Sequence, residues 1–314
     1  MTLIFSFAQA AFIVLLAPGM VGFVRTLKAR FQNRRGAPIL LPYWSLLSLF
    51  RKEMTITRNS SWIFHAVPFV VFASALTLAF LIPTLGYSGG HLGDIFLVGA
   101  IMALGSVFLV FGGMDTASAF GNMGSSREMT LSALVEPALY VSLGTLAIIA
   151  GAPNLESILE RFSSASALDI LPIAALSLFA LFLVFLSENA RYPVDNPATH
   201  LELTMVHEAM VLEYSGAYLA LLEYASAIKL TVLFAFLMDL VVPFGIVHLP
   251  FTPLTLLVAC VALLGKLVLA ALLVAFVEST IVKMRFYRMQ EFMSLGFIVA
   301  FAGLLLALIF GRPL

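Results

Sequence analysis

Long apolar stretches alternate with short polar segments along the whole chain. Eight of these stretches reach about 20 residues, the length that a helix needs to cross the hydrocarbon core of a bilayer. Glycine and proline separate several of them, for example at 83–86 and 151–154. The pattern predicts an all-α polytopic membrane protein with about eight transmembrane helices, at 3–24, 62–85, 95–113, 129–150, 169–188, 224–247, 253–277 and 291–310.

The segment that follows the first apolar stretch is strongly basic. It covers 25–61, and within it 43–52 places Trp44, Leu47 and Phe50 at helical spacing. This pattern predicts an amphipathic helix at the membrane surface, with arginine side chains that reach toward the headgroups. The same segment offers a docking platform for a cytoplasmic partner, and the two interpretations are compatible.

The segment between the fifth and sixth apolar stretches is acidic. It covers 189–222, and Asp195 or Asn196 followed by Pro197 is typical of a helix start. We therefore predict a short helix over 200–213. Its many apolar side chains indicate that this helix packs against the membrane or a partner rather than standing free in solvent.

Two histidines of the acidic segment lie on one face of the predicted short helix. His200 and His207 are seven residues apart, and Glu202 and Glu213, eleven apart, share another face. A metal site is one interpretation, but two histidines at this spacing are not a known ligand pattern. A proton-relay or hydrogen-bonding role suits them better, and we expect no metal site in this chain.

Composition places the whole chain, 1–314, in a single integral membrane domain. It is 61% hydrophobic and only 11% charged, whereas a soluble domain carries about 25% charged residues. The only cysteine, Cys260, excludes an internal disulfide or a cysteine-ligated iron–sulfur cluster.

The glycines of 112–128 predict a tight loop at membrane depth rather than a nucleotide site. The first stretch is long and precedes the basic residues, so we expect a retained span and no cleaved signal peptide.

Basic residues predict the orientation of the chain. Most of the 17 Lys and Arg residues fall in the loops that follow odd-numbered spans. Such residues concentrate in cytoplasmic loops, so we expect a protein of the plasma (inner) membrane with both termini on the outer side and the charged loops in the cytoplasm. The residues predicted to dock a peripheral partner are Arg25, Lys28, Arg30, Arg34, Arg35, Arg127 and Arg191.

Ionisable residues also interrupt the apolar stretches. Glu136 lies inside the fourth, Lys229 and Asp239 lie in the sixth, and Lys266 and Glu278 lie in and just after the seventh. A charge in hydrocarbon costs several kcal/mol, so these groups should face the bundle interior or water. Two interpretations stay open. They carry protons, or they form structural ion pairs, with Glu136 joined to Lys229 or Lys266.

Three polar segments together resemble a known family. They are KARFQNRRGAPILLPYWSLLSLFRKE at 28–53, GSSREMTLSALVEP at 124–137 and ENARYPVDNPATHLELTMVHEAMVLEYSG at 188–216. In order and spacing they are similar to the H-type (subunit 1) membrane subunit of complex I. They are still more similar to its counterpart in energy-converting nickel–iron hydrogenases of the formate hydrogenlyase and hydrogenase-4 kind. The resemblance covers nearly the whole chain.

The resemblance implies a coupling role. In complex I this subunit forms the membrane part of the quinone chamber and begins a hydrophilic axis toward antiporter-like subunits. Arg127 and Glu136 match one cytoplasmic loop and span of the family, and the residues that match its acidic loop are Glu188, Arg191, Pro193, Asp195, Glu202, Glu213 and Tyr214. Combined with the charges in the spans, the predicted coupling and proton path is Glu136, Glu188, Asp195, Glu202, Glu208, Glu213, Lys229, Asp239, Lys266 and Glu278.

The resemblance also implies partners and alternatives. We expect nickel–iron hydrogenase large and small subunits, a ferredoxin-like iron–sulfur subunit, antiporter-like membrane subunits and lipid, but no nucleic acid. The nickel–iron centre and iron–sulfur clusters would belong to those partners, with no cofactor in this chain. Ala198 and His200 stand where quinone-reducing relatives usually carry acids, which favours the hydrogenase branch. A quinone-chamber subunit of complex I is the first alternative, and a stand-alone secondary ion transporter is the second.

Overall fold

The computed structural model describes residues 2–57, 60–87, 93–164, 167–195, 205–247, 252–281 and 286–310. The described residues form helices and no β-strand. The helices are α1 (Thr2–Phe31), α2 (Leu41–Arg51), α3 (Trp62–Leu81), α4 (Ile95–Asp115), α5 (Ala119–Ala150), α6 (Leu155–Ser164), α7 (Ala167–Glu188), α8 (His207–Val211), α9 (Gly216–Val241), α10 (Pro253–Thr280) and α11 (Phe286–Phe310).

The prediction of eight membrane spans is confirmed. Among the described residues, α1, α3, α4, α5, α7, α9, α10 and α11 are long and apolar enough to cross a bilayer. Local signals start several of them. Ser61 and Asp94 accept hydrogen bonds at the starts of α3 and α4, and Thr252 forms a capping box ahead of Pro253 in α10.

The predicted boundaries differ most at three helices. α1 continues to Phe31, so the first residues of the basic segment form its last turns. α9 begins at Gly216 rather than at 224, because the residues before Glu223 are already helical and mostly apolar. α5 begins at Ala119, where Ser118 caps it, instead of at 129.

The expected tight loop over 112–128 is wrong for most of its length. From Ala119 onward these residues are helical, and the glycines permit close packing instead of turns. A Cβ on Gly121 would meet the carbonyl oxygen of Gly113, and one on Gly124 would lie 2.8 Å from the carbonyl oxygen of Val206. Small residues at these positions let α4, α5 and the chain near α8 approach each other.

α9 is the central helix of the bundle. Helices α1, α2, α3, α7 and α10 all pack against it, and nearly every side chain in its second half is buried. The outer faces of α10 and α11 carry large exposed apolar side chains, which suits contact with lipid or a neighbouring span. The polar residues in the second half of α9, Thr231 and Asp239, are therefore held inside the bundle.

One of the two predicted short helices is present as expected, and the other is present in part. The amphipathic helix of the basic segment is confirmed as α2, which buries Pro42 and Leu46 and exposes Trp44, Leu47 and Phe50. The short helix of the acidic segment is α8, which is five residues long. The first residues of the predicted helix, including His200 and Glu202, lie outside the described residues.

Candidate functional site

Charged side chains from distant parts of the chain meet where α1, α7 and α10 end; we call this region the charged end of the bundle. Glu278, in the last turn of α10, is almost fully buried. Its carboxylate lies 3.1 Å from the Nζ of Lys28 and 3.2 Å from a guanidinium nitrogen of Arg191. The ammonium of Lys28 also lies over the ring of Tyr192. One acid therefore joins α1, α10 and the loop after α7.

A second ion pair joins α7 to the central helix. The Nζ of Lys229 donates to the carboxylate of Glu188 at 2.6 Å, and the Glu188 side chain is nearly buried. A charge-assisted hydrogen bond of this length compensates for removing both groups from water. Lys229 is therefore taken by Glu188 and not by Glu136.

A third ion pair lies between α9 and α10. Lys266 donates to Oδ1 of Asp239 at 2.6 Å, and both side chains are buried. The other carboxylate oxygen of Asp239 has no hydrogen-bond partner among the described residues. Asp239 and Lys266 thus pair with each other, whereas Lys229 pairs with Glu188. Glu278 pairs with Lys28 and Arg191.

A cavity of about 290 Å³ opens between α1, α2, α8 and α9; we call it the large cavity. Its walls combine apolar side chains from α1 and α2 with charged groups from the acidic segment. Arg25 and Arg191 lie on it together with Asp195, Glu208 and Glu223. Its location beside the charged end makes it the natural place for polar exchange with a partner.

Two smaller cavities lie deeper in the bundle. The first, which we call the carboxylate cavity, is lined by Glu128, Glu188, Asp195 and His207. The second, the inner cavity, measures about 50 Å³ and lies between α3, α4 and α9. Glu128, Glu188 and Lys229 line it as well. The two cavities share two carboxylic acids and surround the Glu188–Lys229 pair.

Glu128 is the residue that sequence reasoning did not assign to the path. It lies on the carboxylate cavity with Leu131, Ser132 and Val135 from the same helix. These positions are three, four and seven residues after Glu128, the spacing of one helix face. The sequence contains this spacing, but the expectation of a loop over 112–128 kept Glu128 from being placed on that helix face.

Asp195 is buried and organises the start of α8. Its Oδ2 accepts hydrogen bonds from the backbone N–H of Val206 at 3.2 Å and of His207 at 3.0 Å. Asp195 therefore holds the start of α8, eleven and twelve residues further along the chain, whereas the helix start predicted at Pro197 lies outside the described residues. Burial lowers the pKa of His207, the carboxylate of Asp195 raises it, and Lys229 lowers it. The imidazole of His207 is thus held as a neutral donor and acceptor.

The predicted docking residues divide into two groups. Lys28 and Arg191 are bound to Glu278, and Arg127 donates to the carbonyl oxygen of Met205 at 3.0 Å. These three cations act inside the chain. The exposed members are Arg25, Arg30, Arg34 and Arg35.

The remaining predicted path residues have varied surroundings. Glu136 is half-buried and has no ion-pair partner among the described residues, so a structural pair with Lys229 or Lys266 is excluded. Glu208 lies on the large cavity. Glu213 is half-buried beside Tyr214, whose ring stacks on Phe64. Glu202 lies outside the described residues.

Replacing Gly124 by alanine is expected to disturb the packing of α8 against α5. The new Cβ would lie 2.8 Å from the carbonyl oxygen of Val206 and 2.9 Å from the Cβ of Ala209. Overpacking of this kind costs about 1–3 kcal/mol, so the thermal midpoint of the detergent-solubilised protein should fall. The matched control is Gly144→Ala in the same helix, where nothing lies within 4 Å. A midpoint for G124A equal to that of G144A would contradict the close contact.

Comparison with known proteins supplies the context for this arrangement. The profile of the NADH dehydrogenase family matches residues 4–311. Hydrogenase-4 component C of Escherichia coli (strain K12) is 33% identical over 303 residues, which cover 95% of this chain and 93% of that protein. Formate hydrogenlyase subunit 4 of the same organism is 29% identical over 312 residues, which cover 98% of this chain and 100% of that protein.

The fold is also similar to that of a solved structure. A chain in the membrane-bound sulfane sulfur reductase, an archaeal respiratory membrane complex, superposes with a TM-score of 0.81. The match covers 96% of this chain and 99% of that chain at 20% sequence identity. At this identity the likeness establishes the shared helical architecture alone.

Proposed function

The chain belongs to the NADH dehydrogenase family, and we propose that within it this protein is the core membrane subunit of a multisubunit nickel–iron hydrogenase of the formate hydrogenlyase kind. It is a membrane subunit of the class found in energy-converting hydrogenases and complex I-like complexes. In the proposed role it anchors the electron-transfer subunits and links their redox chemistry to the movement of protons or sodium ions.

One observation carries the coupling role. The large cavity, the carboxylate cavity and the inner cavity share lining residues, and Glu188 of the Glu188–Lys229 pair lines the last two. Ionisable groups buried in a membrane bundle are costly and usually mark an ion path. A redox event beside the large cavity would change the protonation of these groups. Asp239 and Lys266 then transmit the change sideways through their own ion pair, and Glu136, Glu202 and Glu213 contribute at its start.

The proposed partners carry the redox centres. They are a nickel–iron large subunit, a small subunit, a ferredoxin-like iron–sulfur subunit and antiporter-like membrane subunits. Two of the similar proteins are named as components of hydrogenase-4 and formate hydrogenlyase, which supports this choice. Within the described residues no group of His, Cys, Asp and Glu side chains has the arrangement of a metal site. We therefore assign the nickel–iron centre and the iron–sulfur clusters to those partners.

The anchoring role is tested by deleting the gene for this chain in the native host. In membranes of the native host, hydrogen oxidation with an artificial dye should sediment with the membrane fraction. Without this chain we expect that activity to move into the soluble fraction, and to return to the membrane when the chain is supplied again. Activity that stays in the membrane without the chain would contradict the anchoring role.

Replacing Arg34 and Arg35 together by glutamine is expected to loosen the peripheral arm. Both side chains are exposed in the link between α1 and α2, and the proposed topology places them in the cytoplasm. Ion pairs across a solvated surface weaken as salt rises, so the arm of the variant should leave the membrane at lower salt than that of the wild type. Arg161→Gln, in α6 at the proposed outer side, is the matched control. An arm that resists high salt equally in both variants would count against this docking surface.

A quinone-chamber role is the second candidate. The large cavity, with apolar walls and two arginines, favours it because an amphiphilic ring with a long tail needs such a mixed surface. Quinone-site inhibitors discriminate the two candidates. Strong inhibition of the native complex, together with bound quinone in the purified sample, would favour the quinone role over the hydrogenase role.

A further inference from the structure

His207 stands at the junction of the three cavities described above. Among the described residues, it alone lines the large cavity, the carboxylate cavity and the inner cavity. Asn189 and Asp195 each line two of them. His207 is therefore the described residue that links the large cavity to both cavities lined by Glu188.

The backbone of His207 is fixed on two sides. Its N–H donates to Asp195, which belongs to the loop after α7. The next residues of α8, Ala209 and Met210, are buried and pack against Gly124 of α5. A rigid backbone places the ring reproducibly, and positioning within a few tenths of an ångström is what proton transfer requires.

The imidazole has the surroundings of a proton carrier rather than of a core histidine. A buried histidine that serves only packing is normally hydrogen-bonded, yet no ring-nitrogen contact of His207 is formed with the described residues. By contrast, the ring of His65 is held by the hydroxyl of Tyr218 at 3.1 Å. As far as the described residues show, the ring nitrogens of His207 are available to water or to a neighbouring acid.

Charged groups from several parts of the chain line the same cavities as the ring. Glu128 of α5, Glu188 of α7 and Asp195 share the carboxylate cavity with it, and Lys229 of α9 shares the inner cavity. On the large cavity its neighbours include the cations Arg25 and Arg191 and the acids Glu208 and Glu223. Burial and Lys229 lower the pKa of His207 while Asp195 raises it, so at neutral pH the ring holds one proton and offers one lone pair.

We propose that His207 is the proton-transfer residue between the large cavity and the Glu188–Lys229 pair. This inference rests on the proposed coupling function. One ring nitrogen accepts a proton from water or a carboxylic acid in the large cavity, and the other releases its proton toward the carboxylate of Glu188 or Glu128. The ring then returns to its starting tautomer, so each passage moves one proton and leaves His207 unchanged.

The test uses the complete native complex, purified through a tag on this chain and reconstituted into proteoliposomes. Redox turnover and the membrane potential, reported by a potential-sensitive dye, are measured together. In His207→Gln, the rate of coupled ion movement should fall roughly 100-fold, the lower end of the rate effect of a lost proton-transfer group. The thermal midpoint should stay at the wild-type value. The matched control, His65→Gln, should behave as the wild type in both measurements.

A rescue experiment separates proton transfer from structure. In His207→Ala, added imidazole should restore ion movement, and the rescue should follow the fraction of imidazole that is neutral. A variant damaged only in packing gains nothing from free imidazole. Absence of rescue in an intact complex would overturn the proposal, and so would full ion movement in His207→Gln.

The outcome also separates this inference from the proposed function. If the wild-type complex builds no membrane potential during redox turnover, the coupling function itself fails. If the wild type builds a potential and His207→Gln builds the same one, only the role of His207 fails. If the thermal midpoint of the glutamine variant is lower than that of the wild type, the imidazole rescue of the alanine variant decides between a lost proton-transfer group and damaged packing.

Discussion

Replacing Glu188 by glutamine, or Lys229 by methionine, is expected to abolish coupled ion movement and to destabilise the chain. The two side chains share a 2.6 Å hydrogen bond inside the bundle. Removing one partner leaves the other charge buried and unpaired, which costs about 3–5 kcal/mol. The expected result is a lower thermal midpoint together with loss of the membrane potential in proteoliposomes.

The double variant E188Q/K229M separates stability from coupling. Replacing both members of a buried ion pair by neutral groups is often neutral or stabilising, so the midpoint of the double variant should return toward that of the wild type. Coupling should stay lost, because neither position of the Glu188–Lys229 pair can then take up or release a proton. A double variant that regains ion movement would make the pair purely structural. Lys52→Met, at an exposed lysine, is the matched control for the lysine change.

Replacing Glu278 by glutamine is expected to release the loop after α7. The carboxylate neutralises both Lys28 and Arg191, and without it two cations face each other at a nearly buried position. The loss should again cost about 3–5 kcal/mol. Because Arg191 and Asp195 belong to this loop, backbone amides over 189–195 should exchange hydrogen faster than in the wild type.

The control for Glu278→Gln is the same substitution at an exposed glutamate. Glu291 in α11 meets this condition, and Glu291→Gln should leave hydrogen exchange over 189–195 unchanged. Equal exchange in E278Q and in the wild type would show that the loop is held by other contacts.

The hydrophobic pattern was sufficient for the fold class but not for the helix ends. Apolar length is a direct physical requirement of the bilayer, so all eight spans could be recognised. Their ends could not, since helix formation continues beyond the hydrocarbon wherever backbone packing allows it. The basic end of α1 is an example. In α5 the glycines resembled a loop signal, yet they serve close packing between helices.

The pairing of charges could not be read from the sequence. Lys28 and Glu278 are 250 positions apart and meet only through the packing of α1 on α10. Likewise, nothing in the sequence distinguishes Glu188 from Glu136 as the partner of Lys229. Residue type and position within the apolar stretches indicated which ionisable groups lie inside the bundle. Their partners depend on how the helices cross. The role of His207 needs the structure for the same reason, because three cavities define it.

We propose that this chain is the membrane core of a nickel–iron hydrogenase complex. The decisive experiment is extraction of the native complex in mild detergent, identification of its subunits by mass spectrometry and measurement of nickel. We expect a nickel-containing large subunit, iron–sulfur subunits and antiporter-like membrane subunits in one assembly with this chain. A flavin-containing NADH module with bound quinone and no nickel would contradict it, and would place the chain in a complex I assembly.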